Sequence, residues 1–536
     1  MNKRAQLPQV QLYDTTLRDG AQRAELSFSV EDKLRIVMLL DELGIHFIEG
    51  GWPGSSPKDT EFFARARELS LSHATLAAFG STRRPFTKAA SDPTLRALVD
   101  AGTSVVTVMG KAWDLHVTQV LETSLEENLM MISDSISFLK SKGLTVFFDA
   151  EHYFDGYKAN REYALRTLRV AAESGAECIV LCETNGGALP AEVGIAVEAA
   201  KAVSAPLGVH AHNDGEFAVA NSLIAVQCGV TQVQGTINGY GERCGNANLC
   251  SLIPALKLKL GIDCVRDNQL VKLTEVARSI SELANLPPDP HLPYVGAAAF
   301  SHKAGLHVSG MMKHEESYQH VSPDLVGNRS RMLVSELSGM SAVVNKAREL
   351  GLRLATKSKK AQEILERLKT LENQGFQYEL AEASFELLLR RAKRGYKPPF
   401  ELVDFMVVVE KHRRRPANEK GEGLLAEAMV KVKVSGDLIH TAAGGNGPVN
   451  ALDTALRKAL LQFYPSLAAI KLVDYKVRIL EESQGTESQV RVLIEFSDGE
   501  HEWRTVGSST NIIEASRIAL SDSLEYWLLR KGVSSR

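Results

Sequence analysis

YDTTLRDGAQ, residues 13–22, gathers Asp14, Arg18 and Asp19 with two threonine hydroxyls and a glycine at the end of the apolar run VQLYDTT. Seven further short β-rich runs follow before about residue 260: FIEGGWP, TLAAFG, SVVTVMG, LTVFFDAE, CIVLCETNG, LGVHAHND and QVQGTING. Amphipathic stretches such as 31–43, 124–142 and 159–174 separate them, so the pattern reads as eight β/α units that close into a (β/α)8 TIM barrel. In such barrels the site lies at the C-terminal ends of the strands. Here strand one ends in Asp14 to Asp19, strand five at Glu151, strand six at Glu183 and Thr184, and strand seven at His210 and His212, while strand eight is expected to run on to Asn246.

At 536 residues the chain exceeds what one hydrophobic core sustains. We read a catalytic barrel over 1–285, helical linker subdomains over 286–400 and a C-terminal α/β regulatory domain over 401–536. The last contains strand-like MVKVKVSG, YKVRIL, SQVRVLIEF and EWRTVG with helices near 449–463 and 511–529. Hydrophobic residues make up 44%, charged residues 24%, and the formal net charge is −3, which lacks the basic excess of a nucleic-acid binder and points to small-molecule partners. MNKRAQLPQV has no apolar stretch behind it and no segment approaches the roughly 20 apolar residues of a membrane span, so a cytoplasmic location is expected. The six cysteines show no CxxC spacing and read as reduced thiols. EKHRRRPANEKGEG, residues 410–423, reads as an exposed charged loop.

His210 and His212 stand two apart on a strand and therefore project to one side. Strands one, seven and eight are neighbours in a closed barrel, so a carboxylate at the end of strand one meets the two imidazoles, with Asn246 nearby. One Asp and two His suit a divalent ion such as Mn2+, Mg2+ or Zn2+ and leave positions for a substrate. A 2-oxo acid chelates such an ion through its carboxylate and keto oxygens, which places positive charge where an alkoxide develops.

YDTTLRDGAQ, the HAHND strand, GYGERCGNAN and FSHKAGLH, in this order, resemble the metal-dependent acyl-CoA condensing enzymes of the isopropylmalate, homocitrate and citramalate synthase family. The resemblance extends to the C-terminal domain, which is similar to that family's allosteric dimer domain. It implies Asp19, His210 and His212 as metal ligands supported by Asn246, Arg18 on the keto acid, Glu151 beside acetyl-CoA, and Thr184 touching the keto acid. Asp14 is then a support behind the ligands. Proton transfer falls to His307 and Tyr318, with His302 as the rival base. The family's HxDG reads here as His307-Val308-Ser309-Gly310, which lacks the acidic partner.

EGGWPGSSPKD, residues 49–59, carries the tryptophan form of a turn that resembles the citramalate synthase branch, so pyruvate is the expected keto acid. Trp52 narrows the pocket or packs the barrel; both readings stand. The alternatives are a 2-isopropylmalate synthase acting on 2-oxoisovalerate, a related aldolase or lyase, a metal-dependent hydrolase, and a non-catalytic amino-acid sensor. A complete metal set counts against the sensor, and the place of HxH after strand seven counts against the hydrolase. Citramalate leads toward isoleucine, so isoleucine, alternatively leucine, is the expected feedback ligand of a homodimer. The helix starts at GGNGPVN (Gly445, Asn446, Gly447) and GSSTN (Ser509) offer backbone donors for its carboxylate, although a plain tight turn with proline near the helix start is the stronger reading for the first.

Overall fold

The computed structural model describes residues 9–302, 307, 310–311, 313–332, 340–349, 354, 358–410, 425–480 and 487–532. The chain divides into two compact units: residues 1–300 with 320–330, and residues 301–319 with 331–536.

The first unit is a closed barrel of eight parallel strands: β1 (Gln11–Asp14), β2 (Phe47–Gly51), β3 (Thr75–Ser81), β4 (Val105–Lys111), β5 (Thr145–Glu151), β6 (Cys178–Glu183), β7 (Leu207–Ala211) and β8 (Gln232–Gly235). Parallel strands need crossovers, and polar caps start the helices that supply them. Ser29 and Asp32 form a reciprocal capping box at Val30–Leu43, and Gly44 closes that helix at φ 88°. Ser124 accepts from Glu127 N–H at the start of Leu125–Ser141. Asn160 divides the helix expected over 159–174: it ends Tyr153–Ala159 and caps Arg161–Glu173 by accepting from Tyr163 N–H.

Side chains alternate across each strand. Leu12, Ile48, Val106, Phe148 and Val209 face the helices in the large outer core, whereas Tyr13, Phe47, Ala77, Val105, Phe147 and Val180 fill the barrel. Phe47 and Phe147 pack edge to face with centroids 5.0 Å apart, and Tyr13 lies about equally far from both, at 6.1 and 6.2 Å. This aromatic layer forms a floor, so polar groups beyond it lie in a closed cup rather than a channel.

Strand eight stops at Gly235, short of the expected extension to Asn246. The chain turns through Ile237–Gly239, and Asn246 returns in an isolated bridge opposite His212. Gly235 makes the return possible, because Ala247 O packs where a Cβ would stand.

In the second unit two antiparallel sheets repeat one plan. β11 (Glu401–Glu410), β12 (Leu425–Val434) and β13 (Asp437–Gly445) precede the helix Pro448–Leu460; β14 (Lys471–Ile479), β15 (Val490–Ser497) and β16 (Glu502–Ser509) precede Ile512–Lys531. FELVDF at 400–405 and IKLVDY at 470–475 begin the two repeats, and the ladder slips at Leu402/Asp404 and again at Leu472/Asp474. β11 and β13 escape the sequence reading because β11 carries apolar residues on both faces and β13 ends in TAAGG, small residues of low strand preference. The helices Met340–Glu349, Lys359–Asn373 and Glu382–Arg391 build a further core around Val343, Ile364, Leu368 and Phe385. Short β9 (Ser301–His302) and β10 (Arg331–Met332) pair in parallel. Residues 411–423 of the charged loop lie outside the described residues. No helix among the described residues is long and apolar enough to cross a membrane.

Gly235→Ala is expected to cost about 1–3 kcal/mol through overpacking against Ala247, read as a lower unfolding midpoint. Gly187→Ala, whose Cβ meets open space, is expected to leave the midpoint unchanged.

Candidate active site

Thr15 O accepts from the N–H groups of both Arg18 and Gly20, at 3.1 and 2.9 Å. The tight turn so formed presents Arg18 and Asp19 at the C-terminal mouth of the barrel, where they line a cavity of about 210 Å³ with Trp52, Glu151, Thr184, His210 and His212. Asp19, His210 and His212 are buried, and their ligand atoms lie within 4.8 Å of one another. Asp19 Oδ2 is 3.1 Å from His210 Nε2 and 3.6 Å from His212 Nε2. Asn246 Nδ2 lies 3.2 Å from Asp19 Oδ2 and 3.1 Å from His210 Nε2. Seven of the sequence-derived residues thus share one cavity, and Asn246 joins them by hydrogen bonds.

The chemistry of this set fits a divalent cation. Asp19 Oδ1, Asn246 Oδ1 and His212 Nδ1 are buried without a hydrogen-bond partner among the described residues, a costly state for polar atoms unless something else engages them. Burial alone would raise the Asp19 carboxyl, but Arg18 and the histidines outweigh it and hold it well below the usual carboxylate range. Burial, with His210 adding repulsion, lowers His212 to about 4, so its imidazole is neutral and able to ligate at neutral pH. His210 Nδ1 meets Gln234 Oε1 at 2.9 Å, which turns Nε2 toward Asp19.

Arg18 is the second organising group. Its Nε donates to Glu49 Oε2 at 2.5 Å, Nη1 lies 3.4 Å from Asp19, and the guanidinium covers the Phe79 ring at 3.9 Å. Glu49 is fully buried and also accepts from Tyr13 Oη at 2.9 Å, while that hydroxyl meets Thr107 Oγ1 at 2.7 Å. Trp52 packs edge-on against Phe79 with centroids 5.3 Å apart, so it both packs and lines the cavity. Glu151 pairs with Lys111. Thr184 Oγ1 accepts from His152 N–H at 2.9 Å, and its carbonyl accepts from Arg243 Nη2 at 2.8 Å; Arg243 also grips Asp214 at 2.8 and 3.0 Å. Cys182 is buried on the cavity wall, and burial raises its thiol well above the ordinary range.

Asp14 acts at one remove. It accepts from Thr16 N–H and Oγ1, both at 2.8 Å, and Thr16 Oγ1 in turn accepts from Ile237 N–H at 2.9 Å, at the start of the segment that returns with Asn246. In the second unit His307 and Tyr318 stack with centroids 4.4 Å apart, and His302 Nε2 is buried without a partner among the described residues. Val308 and Ser309 lie outside the described residues. At the two helix starts, Asn446 N–H is taken by Asn450 Oδ1 at 3.1 Å, Gly447 caps without a side chain, and Ser509 Oγ accepts from Asn511 N–H at 3.1 Å. Gly445 ends β13 beside Asn450.

Glu49, Asp149, Gln234, Lys111 and Arg243 were not singled out from sequence. A period-two signal was present for three of them: Phe47 and Glu49, Phe147 and Asp149, and Gln232 and Gln234 each follow one another on an inward face. A charged or amide group on the inside of a buried parallel strand is the mark they share.

Residues 9–280 match the HMGL-like family, residues 294–375 the homocitrate synthase post-HMGL domain-like family, and residues 379–528 the LeuA allosteric (dimerisation) domain. The barrel and its metal-type cup are therefore those of an HMGL-like protein. Among curated relatives, the (R)-citramalate synthase of Geobacter sulfurreducens is 56% identical over 97% of both chains. That of Aquifex aeolicus is 51% identical over 97% of this chain and 98% of its own. A probable 2-isopropylmalate synthase of Methanopyrus kandleri is more distant, at 32% over 95% of this chain and 96% of its own. The chain belongs to the (R)-citramalate synthase family.

Asp19→Ala is expected to abolish Mn2+ binding, measured by titration calorimetry on the chelator-stripped protein, with the fold retained by circular dichroism. Binding at wild-type affinity would remove Asp19 from the ligand set.

Proposed function

We propose that the protein joins acetyl-CoA to pyruvate and hydrolyses the thioester to give (R)-citramalate and CoA. The likeness to (R)-citramalate synthases along nearly the whole chain carries this reading, and the Asp19, His210, His212 set beside Arg18 supports it. Asp19, His210 and His212, with Asn246, would hold a divalent ion that, when bound, supplies a Lewis acid for the keto group.

Arg18, kept in place by Glu49, binds the keto acid. Thr184, fixed through His152 and Arg243, lines the same cavity and is assigned to contact the keto acid. Trp52, Phe79 and Met109 give the cavity an apolar wall, and at about 210 Å³ it suits a methyl-bearing keto acid. Discrimination of larger side chains there rests on about 1–3 kcal/mol per methylene. Glu151, set by Lys111, serves the acetyl-CoA side. Removal of a proton from the acetyl methyl group is assigned to His307 with Tyr318, and His302 is the second candidate; a positioned base contributes about 10²–10⁴-fold.

The dimerisation-domain match of residues 379–528 supports a homodimer. Exposed apolar side chains on β11 (Val403, Met406, Val409) and β14 (Val473, Val477, Ile479) offer it surface. Isoleucine is the proposed feedback ligand of that domain, with leucine as the alternative.

CoA release is to be measured with pyruvate, 2-oxobutyrate, 2-oxoisovalerate and 2-oxoglutarate, each before and after chelation. Pyruvate is expected to be preferred, with activity lost on chelation and restored by Mn2+ or Mg2+. A preference for 2-oxoisovalerate would move the protein to the isopropylmalate reaction. Calorimetry with isoleucine and leucine is expected to give heat for isoleucine; heat from neither would leave the C-terminal domain a dimerisation module.

A further inference from the structure

Asp149 has no role in the scheme above, yet it lines the same cavity. It precedes Glu151 by two residues on β5 and shares its inward face, so it stands one step deeper. Only 3% of its surface is exposed. Gln234 Nε2 donates to its Oδ1 over a long 3.4 Å, and among the described residues no hydrogen bond reaches Oδ2.

The surrounding charges leave this carboxyl without a cation of its own. Arg18 is shared by Glu49 and Asp19, and Lys111 is paired with Glu151. Glu49 repels a charge on Asp149, whereas Arg18 and His210 favour one. The remaining titratable neighbours are the Tyr13 phenol and the Cys178 and Cys182 thiols, whose pKa values burial raises. Burial first and Glu49 second push Asp149 up to about 7, which favours the protonated form relative to an ordinary carboxyl. Ionised, the group would repel an incoming carboxylate; protonated, it is a donor on the cavity wall. A carboxylic acid kept neutral by its surroundings can serve a site as a hydrogen-bond donor.

We propose that Asp149 binds the keto acid, donating a hydrogen bond from its carboxyl group on the cavity wall to a carboxylate oxygen of the 2-oxo acid. This rests on the reading that the cavity accepts a 2-oxo acid, and it adds a donor on β5 to Arg18 and Thr184. The competing role is purely structural: Asp149 holds Gln234, Gln234 orients His210, and the metal site alone feels a substitution.

The test uses the full-length, Mn2+-loaded protein and its Asp149→Asn and Asp149→Leu variants, with pyruvate binding by calorimetry, KM and kcat by CoA release, and Mn2+ affinity by titration. The asparagine amide keeps a donor, so Asp149→Asn is expected to stay within about threefold of wild type in pyruvate affinity. Asp149→Leu keeps the bulk and loses the donor; its pyruvate Kd and KM should rise roughly 10–100-fold, as for a lost hydrogen bond to a charged group, with Mn2+ affinity unchanged. Should the leucine variant fail to fold, Asp149→Ala carries the same expectation. Unchanged pyruvate affinity in the leucine variant, equal losses in the asparagine and leucine variants, or a fall in Mn2+ affinity that accounts for the loss would each overturn the proposal. If the wild type neither binds nor turns over pyruvate, the substrate reading fails instead, and the same comparison is made with the 2-oxo acid that it does accept.

Discussion

The seam between β1 and β8 is the constraint on which the site depends. Four residue pairs, from Gln11 with Gln232 to Asp14 with Gly235, close the barrel. Without that closure the turn carrying Arg18 and Asp19 would lie at one edge of an open sheet, and the histidines of β7 would lie near the other. Parallel closure brings residues some two hundred positions apart within hydrogen-bonding distance, and the Asp14, Thr16, Ile237 chain ties the two ends of the sheet just beyond the last pair. Geometry at the metal-type cluster is therefore inherited from the backbone ladder.

Charge balance is the second constraint. A buried carboxylate needs a partner, and Glu49 takes Arg18, which fixes the guanidinium against Phe79 and leaves it oriented over the cavity. The consequence is a shortage of cations in the cup: Asp19 shares Arg18 with Glu49, Lys111 is taken by Glu151, and Asp149 has no cation of its own among the described residues. A divalent ion at Asp19 would relieve that shortage, and a proton on Asp149 relieves it by another route.

Much of this was legible in the sequence because parallel barrels write a simple pattern. Eight short apolar runs, each ending in polar residues, became eight strands, and Asp19, His210 and His212 met as strand adjacency requires. Strand adjacency brings Asn246 to the cluster, but on a different element than the sequence pattern suggests, since Gly235 ends β8 and a turn brings the chain back. Glu49 and Asp149 were hidden by their settings in FIEGG and FFDAE, where one acidic residue in an apolar run looks incidental until the inward face is known. In the C-terminal unit the repeated LVD at 402–404 and 472–474 was present from the start, yet β13 carries alanines and glycines that give no strand signal.

Cys182 gives the cavity a property distinct from binding or orientation. A thioester is open to acyl exchange with any nearby thiolate, and if the cavity takes acetyl-CoA as proposed, a sulfur on its wall would be placed to steal the acetyl group. Burial among carboxyl groups keeps this sulfur in its thiol form, and thiols are poor nucleophiles beside thiolates. The same burial and carboxyl neighbours that make the cup costly to charge would then make it chemoselective, protecting the acyl donor from self-acylation of the protein.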